Sequence, residues 1–332
     1  MKIIDNCPLK ERHTFGMDVM ADRLIEFANE DELKSALTGA VKPLLFMGGG
    51  SNLLFLNNYS GTVLHSVIDN INIVAEDDNS VSVRVGSGVV WDDFVAYCVE
   101  KGWWGVENLS LIPGEVGASA VQNIGAYGVE VKDVLQSIEA ISVDDLSKRI
   151  FTNAECNYAY RDSIFKKSLK GKYVITYVTY RLSKKANPNI GYGALKSVLA
   201  ENPSLKEIRD AIIAVRNSKL PDPKVYGNAG SFFMNPVIPM EQFVALQSRY
   251  PEIPSYPASD GYIKVPAGCL IEKSGWKGKS LGNAAVYEKQ ALVLINRGGA
   301  TGMEVKHLAD TVIADIKEIF GITLHAEVNY IE

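Results

Sequence analysis

The sequence predicts an α+β protein in which strands come in runs and helices are scattered among them. Three observations carry that prediction. Between Pro43 and Val85 the chain is a succession of short β-rich runs. Alternating strand patterns return at Leu135 to Val143 and Lys172 to Leu182, with few helices between. The fingerprints of doubly wound nucleotide folds are missing: Gly48-Gly49-Gly50-Ser51 lacks the later glycine of GxGxxG, and no stretch reads GxxxxGK[ST]. Any nucleotide cofactor here binds on another fold.

The runs at Leu44 to Met47, Leu53 to Leu56, Thr62 to Ile68, Ile71 to Ala75 and Val81 to Val85 read as strands. Val89 to Lys101 reads as a helix closed by Gly102 in the C′ position. Leu111 to Gly128 is rich in glycine and too irregular for a packed element, and loops of that length in compact domains are usually functional. Tyr160-Arg161-Asp162 falls in a short helical or turn segment. In the second long strand, Tyr173, Ile175, Tyr177, Thr179 and Arg181 alternate against Val174, Thr176, Val178, Tyr180 and Leu182. Ser204-Leu-Lys-Glu207 is a capping box opening a helix to about Ser218, and the Pro-rich Leu220 to Lys224 then marks a domain boundary.

Beyond it lie a helix at Met240 to Tyr250, a Pro- and Tyr-rich loop at Pro251 to Tyr262 and a strand at Ala291 to Asn296. A long helix opens on the capping box Thr301 to Glu304. It carries Val305, Leu308, Ala309, Val312, Ile313, Ile316 and Phe320 on one stripe and ends at Gly321. Ile322 to Tyr330 reads as a final strand, with Ile322, Leu324, Ala326, Val328 and Tyr330 on one face.

The 332 residues allow about two domains. Lys plus Arg number 34 against 39 Asp plus Glu, a formal charge of −5, which argues against a nucleic-acid or anionic-membrane binder. The longest apolar run, Phe94 to Val99, is far short of the roughly 20 residues a membrane span needs. Met1 to Lys10 has no apolar segment of a secretory signal, so the expected location is the cytoplasm. Cys7, Cys98, Cys156 and Cys269 form no CxxC and read as reduced thiols, and the four histidines show no ligand spacing, so no metal site is expected.

Consecutive glycines let backbone amides approach an anion, so Gly48 to Asn52 is either a phosphate nest or a tight hairpin. In Leu111 to Gly128 the glycines alternate with the amides Gln122 and Asn123, which can hydrogen-bond a heterocycle or pyrophosphate without adding charge. Taken singly, Ser231 is a turn serine, Arg161 half of a surface ion pair and Glu327 a solvated carboxylate.

Taken together, these motifs resemble the UDP-N-acetylenolpyruvoylglucosamine reductase family over essentially the whole chain. The resemblance rests on Gly48 to Asn52, on Ile112-Pro-Gly114 through Gln122-Asn-Ile-Gly-Ala-Tyr-Gly128 and on Tyr160-Arg-Asp-Ser163. It also rests on Lys219-Leu-Pro-Asp-Pro223 and Gly227 to Pro236, and Tyr192 in Gly191-Tyr-Gly193 looks like the substrate-closing tyrosine of the subgroup with an extra loop.

The resemblance implies a two-part FAD-binding fold of the vanillyl-alcohol oxidase (PCMH) type plus a smaller α/β substrate-binding domain. The expected boundaries are 1–70 and 71–220 for the two FAD-binding subdomains, 221–320 for the substrate domain and 321–332 for a terminal strand returning to the site. By the same resemblance FAD is held non-covalently by Gly48, Gly49, Gly50, Ser51, Asn52, Pro113, Gly114, Gly117, Ala118, Gln122, Asn123, Ile124, Gly125 and Tyr127. Arg161, Ser231 and Glu327 are catalytic, and Tyr192, Lys219, Asn235 and Gln290 contact the substrate UDP-N-acetylglucosamine enolpyruvate or NADPH. Met234 stands where the family usually has lysine.

The implied activity is NADPH-dependent reduction of that substrate to UDP-N-acetylmuramate, for peptidoglycan precursor synthesis. Charge develops on the carbon bearing the substrate carboxylate. An arginine fork, and a carboxyl such as Glu327 when desolvation holds it protonated, would stabilise it, and Ser231 would deliver the proton. Two other functions stay open: an FAD-dependent oxidase of another small substrate, and a non-catalytic UDP-sugar-binding protein.

Overall fold

Extended β-rich runs in the first half of the chain need partners, and most of them find these in two sheets. Leu135–Ser142, Tyr173–Ser183, Ser80–Gly86 and Ile71–Glu76 pair antiparallel in that order, with Lys148–Thr152 on the outer edge of Leu135–Ser142. A second sheet runs in the order Lys2–Pro8, Met20–Phe27, Tyr59–Ser66 and Leu44–Met47, its last pair parallel. The computed structural model describes residues 1–193 and 195–332, and they form two compact units. Met1–Cys7, Ala21–Gly49 and Ser60–Ser218 make the first; Pro8–Met20, Gly50–Tyr59 and Lys219–Glu332 make the second.

In the first unit the long strand Tyr173–Ser183 serves two cores. Ile175, Val178, Tyr180 and Leu182 pack with Trp91, Phe94, Ile138 and Phe151. Val174, with Tyr177 beside it, packs with Ile25, Phe27, Leu33 and Leu64. The register shifts between Glu139 and Ala140 on the partner strand. That irregularity breaks the strict alternation expected for this strand, because one extra residue moves the following side chains to the other face. Trp91, Phe94 and Tyr180 meet as rings 5.0 to 5.9 Å apart, each pair adding about 0.5–1.5 kcal/mol beyond burial.

The helix Trp91–Glu100 ends as expected at Lys101 and Gly102, whose φ of +75° suits glycine. The stretch Leu111 to Gly128 corrects the expectation of an irregular loop, since it contains the helix Val116–Gln122. Val116, Gly117, Ser119 and Ala120 are buried on one side of it, and Ser119 Oγ lies 3.2 Å from the Tyr180 hydroxyl in the core. Packing against the sheet therefore makes helical a segment whose glycines obscure any periodicity. The sequence signals for the strands Lys2–Pro8 and Met20–Phe27 and for the helix Glu30–Gly39 were weaker, and these elements extend the fold beyond the expected ones.

The helix Leu205–Lys219 opens on the expected capping box, with the Ser204 amide 2.8 Å from Glu207 Oε2 and the Glu207 amide 3.3 Å from Ser204 Oγ. In the second unit the strands Gly227–Ser231, Val293–Asn296, Ala284–Val286 and Ser280–Leu281 form an antiparallel sheet in that order. The helix Gly302–Phe320 is capped by Thr301 and Glu304 and buries Val305, Leu308, Ala309, Val312, Ile316 and Phe320 as its stripe requires. The final strand is shorter than its pattern suggests. Ile322, Leu324 and Val328 are buried and Thr323 and His325 exposed, as the alternation demands. Continuous pairing is confined to Asn329–Ile331, which lies parallel to Leu53–Phe55.

Candidate functional site

Gly48 to Asn52 joins Leu44–Met47 to Leu53–Phe55, which pair into different sheets, so the tight-hairpin alternative falls away. In the first unit a Cβ on Gly49 would lie 3.3 Å from Gly114 Cα, and one on Gly48 would lie 3.1 Å from Glu115 Oε2. Two glycine-rich loops thus meet backbone to backbone, with the Glu115 carboxylate beside them. Glu115 Oε1 is 2.9 Å from His65 Nε2. The second loop is stitched down by backbone hydrogen bonds from Trp91 to Gly114, Val116 to Val89 and Gly117 to Ser87, at 2.9 to 3.0 Å. A Cβ on Gly117 would lie 2.8 Å from Ser87 Cβ, so that glycine is required by packing.

The predicted cofactor residues of this loop divide by burial. Gly117 and Asn123 are buried and hold the loop in shape, whereas Pro113, Gly114, Ala118, Gln122, Ile124, Gly125 and Tyr127 keep accessible surface. A cradle lined by backbone, with no side chain of its own at Gly48, Gly49 or Gly114, fits the pyrophosphate and ring of a flavin nucleotide.

Arg161 is set by the same loop. The Ala159 and Asp162 backbones exchange hydrogen bonds of 3.1 Å, making a tight turn with Tyr160 and Arg161 at its corner. Arg161 has φ +55°, a left-handed conformation uncommon for a non-glycine residue. Its Nη2 donates to the Gly125 carbonyl at 2.6 Å and its Nη1 to the Asn123 carbonyl at 3.4 Å. Asn123, itself at φ +46°, donates from Nδ2 to the Ala159 carbonyl at 2.9 Å and to Glu130 Oε2 at 3.2 Å. Its Oδ1 accepts from the Lys132 amide at 3.1 Å. Ser163 Oγ and the Tyr158 hydroxyl bind the carbonyls of Val121 and Ala120 at the end of the helix Val116–Gln122. The reading of Arg161 as half of a surface pair with Asp162 is corrected: Asp162 pairs with Lys167.

Tyr192, half exposed, meets Tyr127 edge to face at 6.1 Å between ring centroids. Asn108, fully buried, ties the two segments together, its Nδ2 donating to the carbonyls of Tyr127 (2.9 Å) and Asn189 (2.7 Å). Sequence reasoning passed over Asn108 and also Arg216, whose Nε is buried without a hydrogen-bond partner. A signal for Arg216 existed, since Arg209 and Arg216 lie seven residues apart on the face of the helix that buries Ile212. The Arg209 fork holds Asp92 at 2.6 and 2.8 Å. Burial would raise the Asp92 carboxyl, but that fork and the Leu111 amide outweigh it and hold the group below the usual carboxylate range.

The second unit gathers the other predicted residues. The Glu327 amide donates to the Phe232 carbonyl at 2.8 Å, Phe233 pairs with Ala326, and the Met234 amide donates to the His325 carbonyl. This pairing brings Ser231, exposed at the end of its strand, next to the segment carrying Glu327. Gly50 and Asn52 belong here too. A Cβ on Gly50 would lie 2.4 Å from the Arg12 carbonyl, and Asn52 Nδ2 donates to the Glu327 carbonyl at 3.2 Å, leaving Ser51 between them. Asn235 Oδ1 accepts from the Ala267 amide at 2.9 Å, and Gln290 Oε1 accepts from the Leu292 amide at 3.3 Å. Lys219 is exposed at the end of its helix. A separate cavity of about 710 Å³ in this unit, lined by Lys10, Asp18, Asn58, Lys224 and Thr301 among others, contains none of the predicted site residues.

Comparison with known proteins bears on the family and the fold. Residues 21–145 match the model of a FAD binding domain. Residues 222–331 match that of the C-terminal domain of UDP-N-acetylenolpyruvoylglucosamine reductase. The reductase of that name from Bacteroides fragilis is 53% identical over 327 residues, covering 97% of this chain and 98% of the relative. That of Porphyromonas gingivalis is 50% identical, with both chains covered completely. The crystal structure of the Thermus caldophilus enzyme shares the fold, with a TM-score of 0.71 at 22% identity over 100% of this chain and 98% of that one. The α+β architecture is thus of the FAD-binding type with a smaller second domain, and by identity over its full length the chain belongs to the UDP-N-acetylenolpyruvoylglucosamine reductase family.

Proposed function

We propose that this protein reduces UDP-N-acetylglucosamine enolpyruvate to UDP-N-acetylmuramate with NADPH, in the cytoplasmic synthesis of peptidoglycan precursors. The observation that carries the reading within the structure is the pairing that sets Ser231 beside the segment of Glu327, two residues far apart in sequence that the family resemblance makes catalytic. FAD fits the backbone cradle around Gly48, Gly49 and Gly114, and the chemistry it supplies when bound is hydride transfer, from NADPH and on to the enolpyruvyl group.

The protein's own residues do the rest. Arg161, its guanidinium oriented by the carbonyls of Asn123 and Gly125, is the permanent cation for the substrate carboxylate, on which charge develops during reduction. Glu327 assists there, and Ser231 gives its hydroxyl proton to the carbon that bears the carboxylate. Lys219, by charge type, stabilises the resulting alkoxide. Tyr192, Asn235 and Gln290 hold the sugar nucleotide, and the uncharged Met234 side chain offers a phosphate no ion pair. Serine is a weak acid, but a carbanionic acceptor is basic enough to take its proton.

Anaerobic addition of NADPH to the purified holoprotein should bleach the flavin, and the enolpyruvyl substrate should then restore the colour. Restoration by oxygen but not by that substrate would instead identify an oxidase, and no bleaching at all a binding protein.

A further inference from the structure

Glu115 is the one charged residue in the two glycine-rich loops, Gly48 to Asn52 and Leu111 to Gly128, and its sign is that of the pyrophosphate these loops would hold. Its carboxylate faces the glycine pair of the first loop: a Cβ on Gly48 would lie 3.1 Å from Oε2 and one on Gly49 3.8 Å from Oε1. Anions brought this close repel, the more so where water is scarce, and Glu115 is buried. A buried carboxylate needs a partner, and the partner is His65 on the strand Tyr59–Ser66. His65 Nε2 lies 2.9 Å from Glu115 Oε1, and because a carboxylate only accepts, Nε2 is the donor. His65 Nδ1, buried without a hydrogen-bond partner, faces Glu26 Oε1 at 3.9 Å on the adjacent strand Met20–Phe27. Glu26 Oε2 is in turn 3.5 Å from the exposed Lys2 ammonium. Four groups of the first unit, Lys2, Glu26, His65 and Glu115, thus form a line from the surface to the cradle.

We infer that His65 is a positioning residue for the cofactor: by holding the Glu115 carboxylate through Nε2–H it keeps that charge from opposing the pyrophosphate of FAD in the cradle. The inference rests on the placement of the pyrophosphate at these two loops. A tie between a strand and a loop needs no charge at either end, and well-packed apolar residues would serve it as well or better. With a carboxylate on the wall that receives phosphate, its hydrogen-bond donor becomes part of the binding site without touching the ligand.

The test is the FAD dissociation constant of the holoprotein, read from the flavin that passes an ultrafiltration membrane. It compares the parent with His65→Ala, Glu115→Gln, the double variant His65→Ala/Glu115→Gln, His65→Leu and Gly49→Ala. His65→Ala leaves the carboxylate without its donor and should weaken FAD binding at least about tenfold, or about 1.4 kcal/mol. His65→Leu, which keeps bulk in the strand but not the donor, should do the same, so that loss of the hydrogen bond is told apart from a packing fault. Glu115→Gln removes the charge and should bind FAD at least as tightly as the parent. Added to His65→Ala, it should restore binding to within about threefold of Glu115→Gln alone, a suppression that a merely structural tie would not give. A double variant no better than His65→Ala would overturn the inference, as would parent affinity in both His65→Ala and His65→Leu. Weaker binding in Glu115→Gln alone would also overturn it, because the carboxylate would then hold the cofactor. Gly49→Ala tests the placement, since its methyl would stand 3.3 Å from Gly114 Cα where the loops meet. Unaltered FAD affinity there removes the pyrophosphate from the cradle and sinks the underlying placement. Weakened binding there without suppression by Glu115→Gln sinks the inference alone.

Discussion

Replacing Asn123 tests whether the turn carrying Arg161 is held as its geometry implies. The side chain makes three hydrogen bonds, two to backbone and one to Glu130, each contributing about 1 kcal/mol net. Its φ of +46° adds about 1 kcal/mol of strain for a residue that, unlike Asn or Gly, disfavours the left-handed region. Asn123→Ala should therefore destabilise the first unit by about 3–5 kcal/mol, and Asn123→Gly by about 1 kcal/mol less, since glycine loses the hydrogen bonds but not the conformation. Trp91, Trp103 and Trp104 lie in the first unit and Trp276 in the second. Urea unfolding followed by tryptophan fluorescence in a Trp276→Phe background thus reports on the first unit alone. Equal losses in the Ala and Gly variants would refute the strain argument. A loss under about 1 kcal/mol in both would show that Asn123 does not hold the turn.

Three further outcomes are expected. Ser231→Ala should leave flavin bleaching by NADPH near normal while slowing reoxidation by the enolpyruvyl substrate by roughly 10² to 10⁴, about 2.7 to 5.5 kcal/mol of barrier; stopped-flow measurement of both half-reactions checks it, and equal slowing would move the proton donor elsewhere. Acid precipitation should release all flavin colour into the supernatant, because neither glycine-rich loop contains a histidine or cysteine for attachment; colour in the unfolded pellet would contradict that. Glu107 is buried, with its carboxyl pushed up chiefly by desolvation and its Oε2 accepting from the Gly105 amide at 2.6 Å. A raised folded pKa gives stability that is complete below the unfolded value near about 4.3 and is lost as pH rises through the folded value, at about 1.4 kcal/mol per unit of difference. Glu107→Gln should therefore raise the melting temperature at pH 8 and leave it nearly unaltered at pH 4, and the same change at both pH values would count against the burial argument.

Much of the fold was legible because its signals are local. The capping boxes at Ser204 and Thr301, the stripe on Gly302–Phe320 and the glycine after Trp91–Glu100 each act within a turn or two of helix, and the structure follows them. Failures occurred where partners decide. Val116–Gln122 is helical because the sheet offers Tyr180 and Ser87 to pack against. Ile322 to Val328 has the alternation of a strand, yet its amides find ladder partners only around Phe232 to Met234, so the pattern gives faces without giving a sheet. In the site, motif residues were legible as residue types. What could not be read was the division among them, in which buried Asn123 and Gly117 shape the loop and their neighbours Gly114, Gln122 and Gly125 keep accessible surface.

The distribution of backbone strain argues for the same site independently of any family resemblance. Among the described residues seven non-glycines adopt positive φ; Asn6, Leu146 and Asn157 lie outside the loop, and Leu111, Asn123, Tyr127 and Arg161 are the other four. These four cluster around one glycine-rich loop and the turn it holds, and conformations of this kind cost about 1–3 kcal/mol each and persist only where their surroundings over-determine them. Here the surroundings do so: Asp92 accepts from the Leu111 amide, Asn108 holds the Tyr127 carbonyl, and Asn123 holds the turn of Arg161. Glycine at those positions would carry the same conformation without strain, as Gly114 and Gly128 do. Keeping bulky or polar side chains there means that their directions matter, and the side chains so directed include the guanidinium of Arg161 and the ring of Tyr127, the groups through which the first unit meets a ligand in the proposed reaction.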